Sequence, residues 1–457
     1  MDTAAEPRPG DEDFDGFRMS VSEDYAEYML FVIGDKADNN LPSLEAVRKA
    51  ADRKLDELAK DYIWQREPFK LEAKTQKGLG LSYLHGITHY GDNVEDEWLI
   101  VYLLRELSKT YPQLWIRVSD SDGEFLLIEA AKVTPKWLSP ENDGNRVWIH
   151  DGKLLIIPLA DPTTTTSKPL SLPEAIKTIK TSPPSTLIHS PLVEAESFYR
   201  LEKYPAQITT ALHHALATIP RKLAHILHLR PKAVAPATEA FYLRDPRALK
   251  PLLFPTPSPS PAATTQQQQQ GANNGLTFPP TDLVTISVRF SKVLYAQLKS
   301  QHFAPPPAWT PAFRAVEAGT GAGAGAADAS GPEAAKAKAL ARLELGMKLT
   351  IGFELLARTA DQSASRVVRE VALLLEDLVE DGGDSALPGD GEIAGWEGVG
   401  REDDHGWMDI DFGDFERELE GKKTAGGGGF GDAAAQADLQ KIVSRFEAFL
   451  NDESGGD

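Results

Sequence analysis

The chain has 457 residues, 41% of them hydrophobic, no cysteine and a formal net charge of -20. That length and apolar content supply two or three domains with real cores, while the lack of cysteine excludes disulfides, thiolate nucleophiles and zinc fingers and suits a reducing compartment. The acidity argues against direct nucleic-acid or anionic-membrane partners and for protein partners. No apolar run is long enough to span a bilayer, and the acidic N-terminus lacks signal-peptide order, so the expected location is nucleus and cytoplasm.

Residues 1–20, rich in Asp, Glu, Pro and Gly, are expected to be a solvated tail. An N-terminal α+β domain is expected over 21–160. It opens with a buried strand at Tyr28–Ile33 and an amphipathic helix from Leu41 to Tyr62 that carries Leu44, Val47, Ala51, Leu55 and Leu58 on one face. Phe69 and Leu71 suit an edge strand, and Leu81 to Tyr90 another. The densest signals lie between Gly91 and Pro158. Asp92 or Asn93 is positioned to cap a helix whose first turn holds Glu95, Asp96 and Glu97, where the helix dipole favours acid. The run Trp98 to Leu104 is apolar on every face and must be covered on more than one side, and Pro112 ends the helix. Two hairpins are expected, Trp115–Glu129 turning at Asp122-Gly123 and Arg146–Pro158 turning at Asp151-Gly152, with Gly123 and Gly152 supplying positive φ. The core is then a helix laid on a sheet.

Beyond a Thr-rich linker at 161–167 the apolar spacing becomes helical, which predicts a helical domain over 170–250. Its helices are Pro173–Lys180, Pro191–Tyr204, Ala206–Thr218 and Arg221–Leu229, separated by Pro205, Pro220 and Pro231. Low-complexity inserts follow at 251–280, which includes Gln266 to Gln270, and at 305–332. Between them, 281–304 continues the fold: Val284, Ile286, Val288 and Phe290 alternate as a strand with one buried face, and Ser291 caps a helix. Long helices at Ala339–Leu356 and Ser365–Glu380 make 333–381 a helical continuation. An acidic tail fills 382–457.

No arrangement of residues marks an active site. Asp120-Ser121-Asp122-Gly123-Glu124 resembles the start of a calcium loop, but Phe125 and Ala131 occupy the positions that need Gly and a bidentate acid. His213, His214, His225 and His228 cluster, and His225 with His228 is an i, i+3 pair, yet no H-E-x-x-H or suitably spaced carboxylate accompanies them. No nucleophile elbow, Walker loop or dinucleotide fingerprint is present. The expectation is therefore no catalytic residue, no cofactor and no bound metal; the rival is a metal-dependent hydrolase built on the histidines and the acids at 95–97. Trp98 is expected in the core. Trp137, between the hairpins, is a candidate partner anchor.

In the tail, Trp407, Phe412 and Phe415 are interleaved with carboxylates, the composition of acidic activation segments, and repulsion should hold the aromatics exposed. Leu439, Ile442, Phe446 and Phe449 recur at helical spacing and suit a helix in a partner groove or back on its own domain. Both sets are candidate partner-binding residues.

Several strings resemble the Ecdysoneless family, whose fungal members are known as suppressors of a glycolysis-gene regulator defect. They are Tyr62-Ile63-Trp64-Gln65, Gly91 to Trp98, Asp122 to Ala131, Pro135 to Asn142, Ala240 to Pro246, Leu294 to Leu298, Leu345 to Leu349, and Gly352-Phe353-Glu354. The resemblance implies a non-enzymatic adaptor acting in pre-mRNA splicing, transcription and cell-cycle progression. The partners it implies are the large central spliceosomal scaffold protein, a chaperone-linked assembly complex and tumour-suppressor pathways. Members usually continue into a longer acidic tail with Ser-Asp motifs, whereas this chain stops at Asp457, which puts the chaperone-linked partner in question. A promoter-acting co-activator using the acidic tail is the alternative.

Overall fold

A computed structural model describes residues 24–34, 41–76, 81–121, 123–159, 169–253, 275–319, 331–360, 363 and 365–408. The first part of the chain forms β1 (Tyr25–Val32), α1 (Leu41–Leu58), β2 (Glu72–Gln76), β3 (Leu81–His89), α2 (Val94–Thr110), β4 (Leu114–Asp120), α3 (Phe125–Glu129), β5 (Val147–His150) and β6 (Lys153–Ile156). There follow α4 (Leu172–Thr181), α5 (Pro191–Ser197), α6 (Ala206–Thr210), β7 (Leu212–Pro220), α7 (Arg221–Leu229), α8 (Val234–Tyr242), α9 (Pro246–Leu253), β8 (Leu283–Ser291), α10 (Lys292–Ser300), α11 (Thr310–Glu317), α12 (Pro332–Thr359), α13 (Arg366–Glu380) and α14 (Asp390–Ala394). The class is α+β.

Six strands make an antiparallel sheet in the order β2-β3-β1-β4-β5-β6. Its two faces follow the period of the strands. Ala26, Tyr28 and Leu30 of β1, with Leu114, Ile116 and Val118 of β4, point into a core shared with α1 and α2. Phe31, Trp115, Trp148, Leu155 and Ile157 point the other way and are covered by Ala175, Ile176 and Ile179 of α4. Helix α2 is wrapped as its all-round apolar run requires, with Trp98, Leu99, Ile100, Val101, Leu103 and Leu104 all buried.

The second core is built on a two-stranded ribbon, β7 and β8, registered His213 to Phe290, Ala215 to Val288 and Ala217 to Ile286. These inward residues are covered by α12, whose glycines permit close approach: a Cβ on Gly346 would collide with the Thr218 carbonyl, and one on Gly352 with that of Ala237. From Leu343 to Leu356, apart from the partly exposed Glu344, α12 is buried, including Lys348, whose Nζ donates to the Leu298 carbonyl at 3.2 Å.

Several expectations are corrected. The segment 206–218 is not one helix: α6 ends at Thr210 and β7 begins at Leu212, because His213, Ala215, Ala217 and Ile219 find β8 as a partner. Trp115–Glu129 is not a hairpin. Both edges of β4 are taken by β1 and β5, so Phe125–Glu129 is left to coil into α3, although Gly123 does adopt φ +116°. The hairpin at Asp151-Gly152 forms, with φ of 51° and 71° as a type I′ turn requires. Helix α2 starts after Asn93 as expected, but no side chain caps it; Asn93 donates instead to Asp96, and Asp92 accepts from Gln297. The stretch expected as a second insert contains α11, anchored by buried Trp309 and Val316.

Candidate functional site: the seam between two cores and the ribbon beside it

The two cores meet along a seam made by the short segment that follows α1. Its side chains alternate in destination: Tyr62 and Trp64 enter the first core, whereas Ile63, fully buried, enters the second. The backbone of this segment is held by Asp96 from the first turn of α2. The Asp96 carboxyl accepts from the Tyr62 hydroxyl at 2.6 Å, the Gln65 amide at 2.8 Å and Asn93 Nδ2 at 2.7 Å. Complete burial pushes Asp96 up to about 8, against the pull of those hydrogen bonds, and burial likewise raises Tyr62 well above its usual range. Gln65 then donates to Gln297 Oε1 at 3.1 Å, and Gln297 donates to Asp92 Oδ2 at 2.9 Å, tying the seam segment and the turn before α2 to α10. Two ion pairs flank this chain of bonds, Arg66 with Glu239, and Arg289 with Asp61 at 3.2 Å. A titratable pair shut away from solvent in this manner orients elements; it has no access to a substrate.

The ribbon's other side is crossed by residues 396–408. Trp396 stacks on the His228 ring at 4.0 Å between centroids. The Ser287 amide donates to the Val399 carbonyl, and the Asp403 amide to the His214 carbonyl, each at 2.8 Å. The Asp403 carboxylate accepts from the His214 amide at 2.8 Å; burial opposes its charge, but that bond and Arg401 hold the group down at about 2. His405 stacks on Tyr295, and Trp407 packs edge-on to His213 and lies half-buried, with its Nε1 3.4 Å from His213 Nδ1. Burial pushes His213 down to about 4, so it stays neutral and able to accept from Trp407. The expectation that repulsion holds Trp407 exposed is therefore corrected. The histidines separate: His213 and His214 lie on β7, His225 and His228 on α7, and among the described residues no group of three His, Cys, Asp or Glu is placed to hold a metal.

A family model described as SGT1 protein matches residues 26–254, half of the chain. The chain belongs to that family. Its relatives carry the Ecdysoneless name. A protein ecdysoneless homolog of Schizosaccharomyces pombe is 29% identical over 87% of this chain and 66% of its own length. The Drosophila melanogaster protein ecdysoneless is 31% identical over 62% of this chain and 42% of its own length. An Arabidopsis thaliana homolog is 34% identical over 54% and 36%. The matches thus span about a third to two thirds of these relatives. No solved structure matches the chain.

The strings that carry the Ecdysoneless resemblance fall at structural posts. Tyr62 to Gln65 is the seam segment, and Gly91 to Trp98 supplies its carboxyl hub. Glu95 accepts from Tyr204 and Gln207, and Gly91 sits at φ +54° against Arg66. Trp98 is 2% exposed, with Phe125 edge-on at 5.8 Å. Glu124 is buried and raised to about 7 by that burial, although Arg117 at 3.0 Å and the Asn145 amide draw it down. Trp137 packs half-buried on the first core, its carbonyl taken by Asn142 Nδ2. Glu354 accepts from the Thr277 and Phe278 amides, fixing the segment before β8 to α12. Phe412, Phe415, Leu439, Ile442, Phe446 and Phe449 lie outside the described residues. Sequence reasoning missed the contacts of Gln65 with Gln297, Trp396 with His228 and Asp403 with His214, each of which spans more than 100 residues and leaves no local pattern.

Proposed function

We propose that the chain is a non-enzymatic adaptor of the Ecdysoneless family that acts through protein contacts in pre-mRNA splicing, with effects on transcription and cell-cycle progression, in nucleus and cytoplasm. The observation that carries a binding over a catalytic reading is the use of the buried acids. Asp96, Glu124 and Glu354 each hold backbone amides or structural side chains in place between elements, the task of a scaffold. The partner proposed first is the large central spliceosomal scaffold protein; the chaperone-linked complex and tumour-suppressor pathways come second. Direct RNA binding is not part of the reading, because a net charge of -20 repels phosphate. Affinity purification with and without nuclease, paired with sequencing of retained introns after depletion, tests it. The expected result is nuclease-resistant recovery of the scaffold protein and widespread intron retention. Recovery only through RNA, or enrichment at promoters with spliced transcripts unaffected, would overturn it, the latter in favour of a tail-driven co-activator.

A further inference from the structure

Strand β8 is nine residues long and, among the described residues, paired on one side only. In an antiparallel pair the N–H and C=O of alternate residues point away from the partner strand. The Ser287 amide donates to Val399 rather than to β7, so Thr285, Ser287 and Arg289 present the outward groups. Among the described residues that one bond to Val399 is the only backbone bond on this edge; the outward groups of Thr285 and Arg289 take no part in one. The edge does not face open solvent. It borders a cleft of about 430 Å³ whose walls include Leu227, Pro231 and Trp396 together with two arginines, Arg289 and Arg401, and two acids, Asp61 and Glu397. Two side-chain donors at the cleft, Ser287 Oγ and Arg289 Nε, are shut in without an acceptor. The segment above them is thus attached to β8 by one backbone bond and leaves polar groups of the strand beneath it unsatisfied.

We propose that this outer edge of β8 is a docking site for an extended acidic segment of a partner protein, which adds to the ribbon as a third strand in place of Val399. Strand addition matches the chemistry present: free ladder groups give affinity, and walls on either side read alternate side chains. Ser287 and Arg289 lie on one face of β8, with Arg401 on the cleft wall, whereas Ile286 and Val288 lie on the other. The segment that fits therefore alternates acidic with apolar residues: its carboxylates take the unsatisfied Ser287 hydroxyl and Arg289 Nε and replace Asp61 on Arg289 and Asp403 on Arg401, and its apolar side chains meet Leu227, Pro231 and Trp396. The proposal deepens the adaptor reading and rests on it. Lost partners in cells would fail that reading, whereas an edge that binds nothing would fail this site alone.

The test uses the full chain and a fluorescent, acetylated peptide of sequence Ser-Asp-Val-Asp-Ile-Asp-Ser, with an Asn-for-Asp counterpart, followed by anisotropy. Because the chain has no cysteine, the pair Ser287→Cys and Val399→Cys has no other intrachain partner, and the monomer isolated after oxidation carries the disulfide that locks the covering segment in place. The expected result is that the wild-type chain binds the acidic peptide, that the reduced Cys pair binds it more weakly for want of the Ser287 hydroxyl, and that oxidising the pair abolishes what binding remains. Thr285→Pro removes an outward amide, and also the Thr285 hydroxyl bonded to Thr218 of β7 at 2.9 Å, so it is compared with Thr285→Ala, relative to which it should weaken binding by about tenfold, roughly one lost hydrogen bond. Arg289→Gln should weaken it severalfold, and Asp61→Asn, which frees Arg289, should strengthen it. Thermal melts verify that the variants fold. No binding to the wild-type chain, equal binding to the oxidised and reduced Cys pair, or equal binding to Thr285→Pro and Thr285→Ala, overturns the edge site. Equal affinity for the Asn peptide overturns the acidic class. Tighter binding after Asp409, Asp411 and Asp414 are changed to Asn assigns the edge to the chain's own tail and overturns the partner.

Discussion

Asp96→Asn is the most informative single change at the seam, because its effect must depend on pH in a stated direction. The ordinary value for an aspartate is 3.8, and in the fold Asp96 rises to about 8. A carboxyl raised by folding binds its proton more tightly in the native state than in the unfolded chain. Its contribution is therefore full below pH ~4 and is lost steadily as pH rises toward 8, at about 1.4 kcal/mol per unit, on the order of 5 kcal/mol over the window. Asparagine cannot ionise, so it escapes that loss. It keeps an oxygen for Tyr62 and Asn93 but turns an amide toward the Gln65 N–H, leaving a buried donor unsatisfied at a cost of about 1–3 kcal/mol. Below pH ~4 the variant should be the less stable protein by that cost; the two should cross at about pH 5–6, and by pH 9 the variant should be the more stable by about 2–4 kcal/mol. Urea midpoints of both proteins at pH 5, 7 and 9 measure it. Glu124, raised to about 7, titrates in both and cancels in the difference. A gap that stays constant from pH 5 to 9 would refute the assignment of Asp96 as a buried, protonated hub.

Two further changes examine the cores. Ile63→Ala should cost about 2–5 kcal/mol and, because Ile63 is the seam segment's insertion into the second core, should let that core's amides exchange faster while those of β1 are unaffected; hydrogen exchange reads both. Trp98→Ala should cost about 3–5 kcal/mol, whereas Asn93→Ala should act through Asp96 rather than through a lost cap, so a thermal melt should show the Asn93 effect shrinking when Asp96 is already Asn.

What the sequence made legible were the features with local causes. The alternation of β8, the I′ turn at Asp151-Gly152, the cap at Ser291 and the all-round burial of α2 each follow from a few adjacent residues. The failures share a physical reason. In β7 the inward residues His213, Ala215 and Ala217 are too small or too polar to advertise alternation, and alanine favours helix; strand pairing with β8, some 70 residues on, outweighs that preference. Asp122-Gly123 looked like a hairpin turn because the occupation of both β4 edges depends on β1 and β5, neither of which is adjacent to it. Trp407 looked exposed by composition, yet His213 and Tyr295 provide an aromatic seat that only the folded ribbon assembles. Asn93 looked like a cap because its position is right; what changes its role is Asp96, whose buried carboxyl competes for the amide group.

The same comparison decides what holds the seam. The Arg289–Asp61 pair has its carboxylate 67% exposed, and such pairs contribute about 0–1 kcal/mol, so it fixes register more than it binds. Arg66 and Glu239 are more enclosed, but a pair taken from water gives back much of its attraction as desolvation. Ile63, by contrast, transfers a whole aliphatic side chain into the second core, which is worth about 1.5–3 kcal/mol, and Asp96 meets three donors that would otherwise be buried unpaired. The strength of the join therefore lies in one apolar insertion and one protonated acid. Arg289, paired with Asp61 at the seam, also lines the cleft at β8, but its pair adds little to the join.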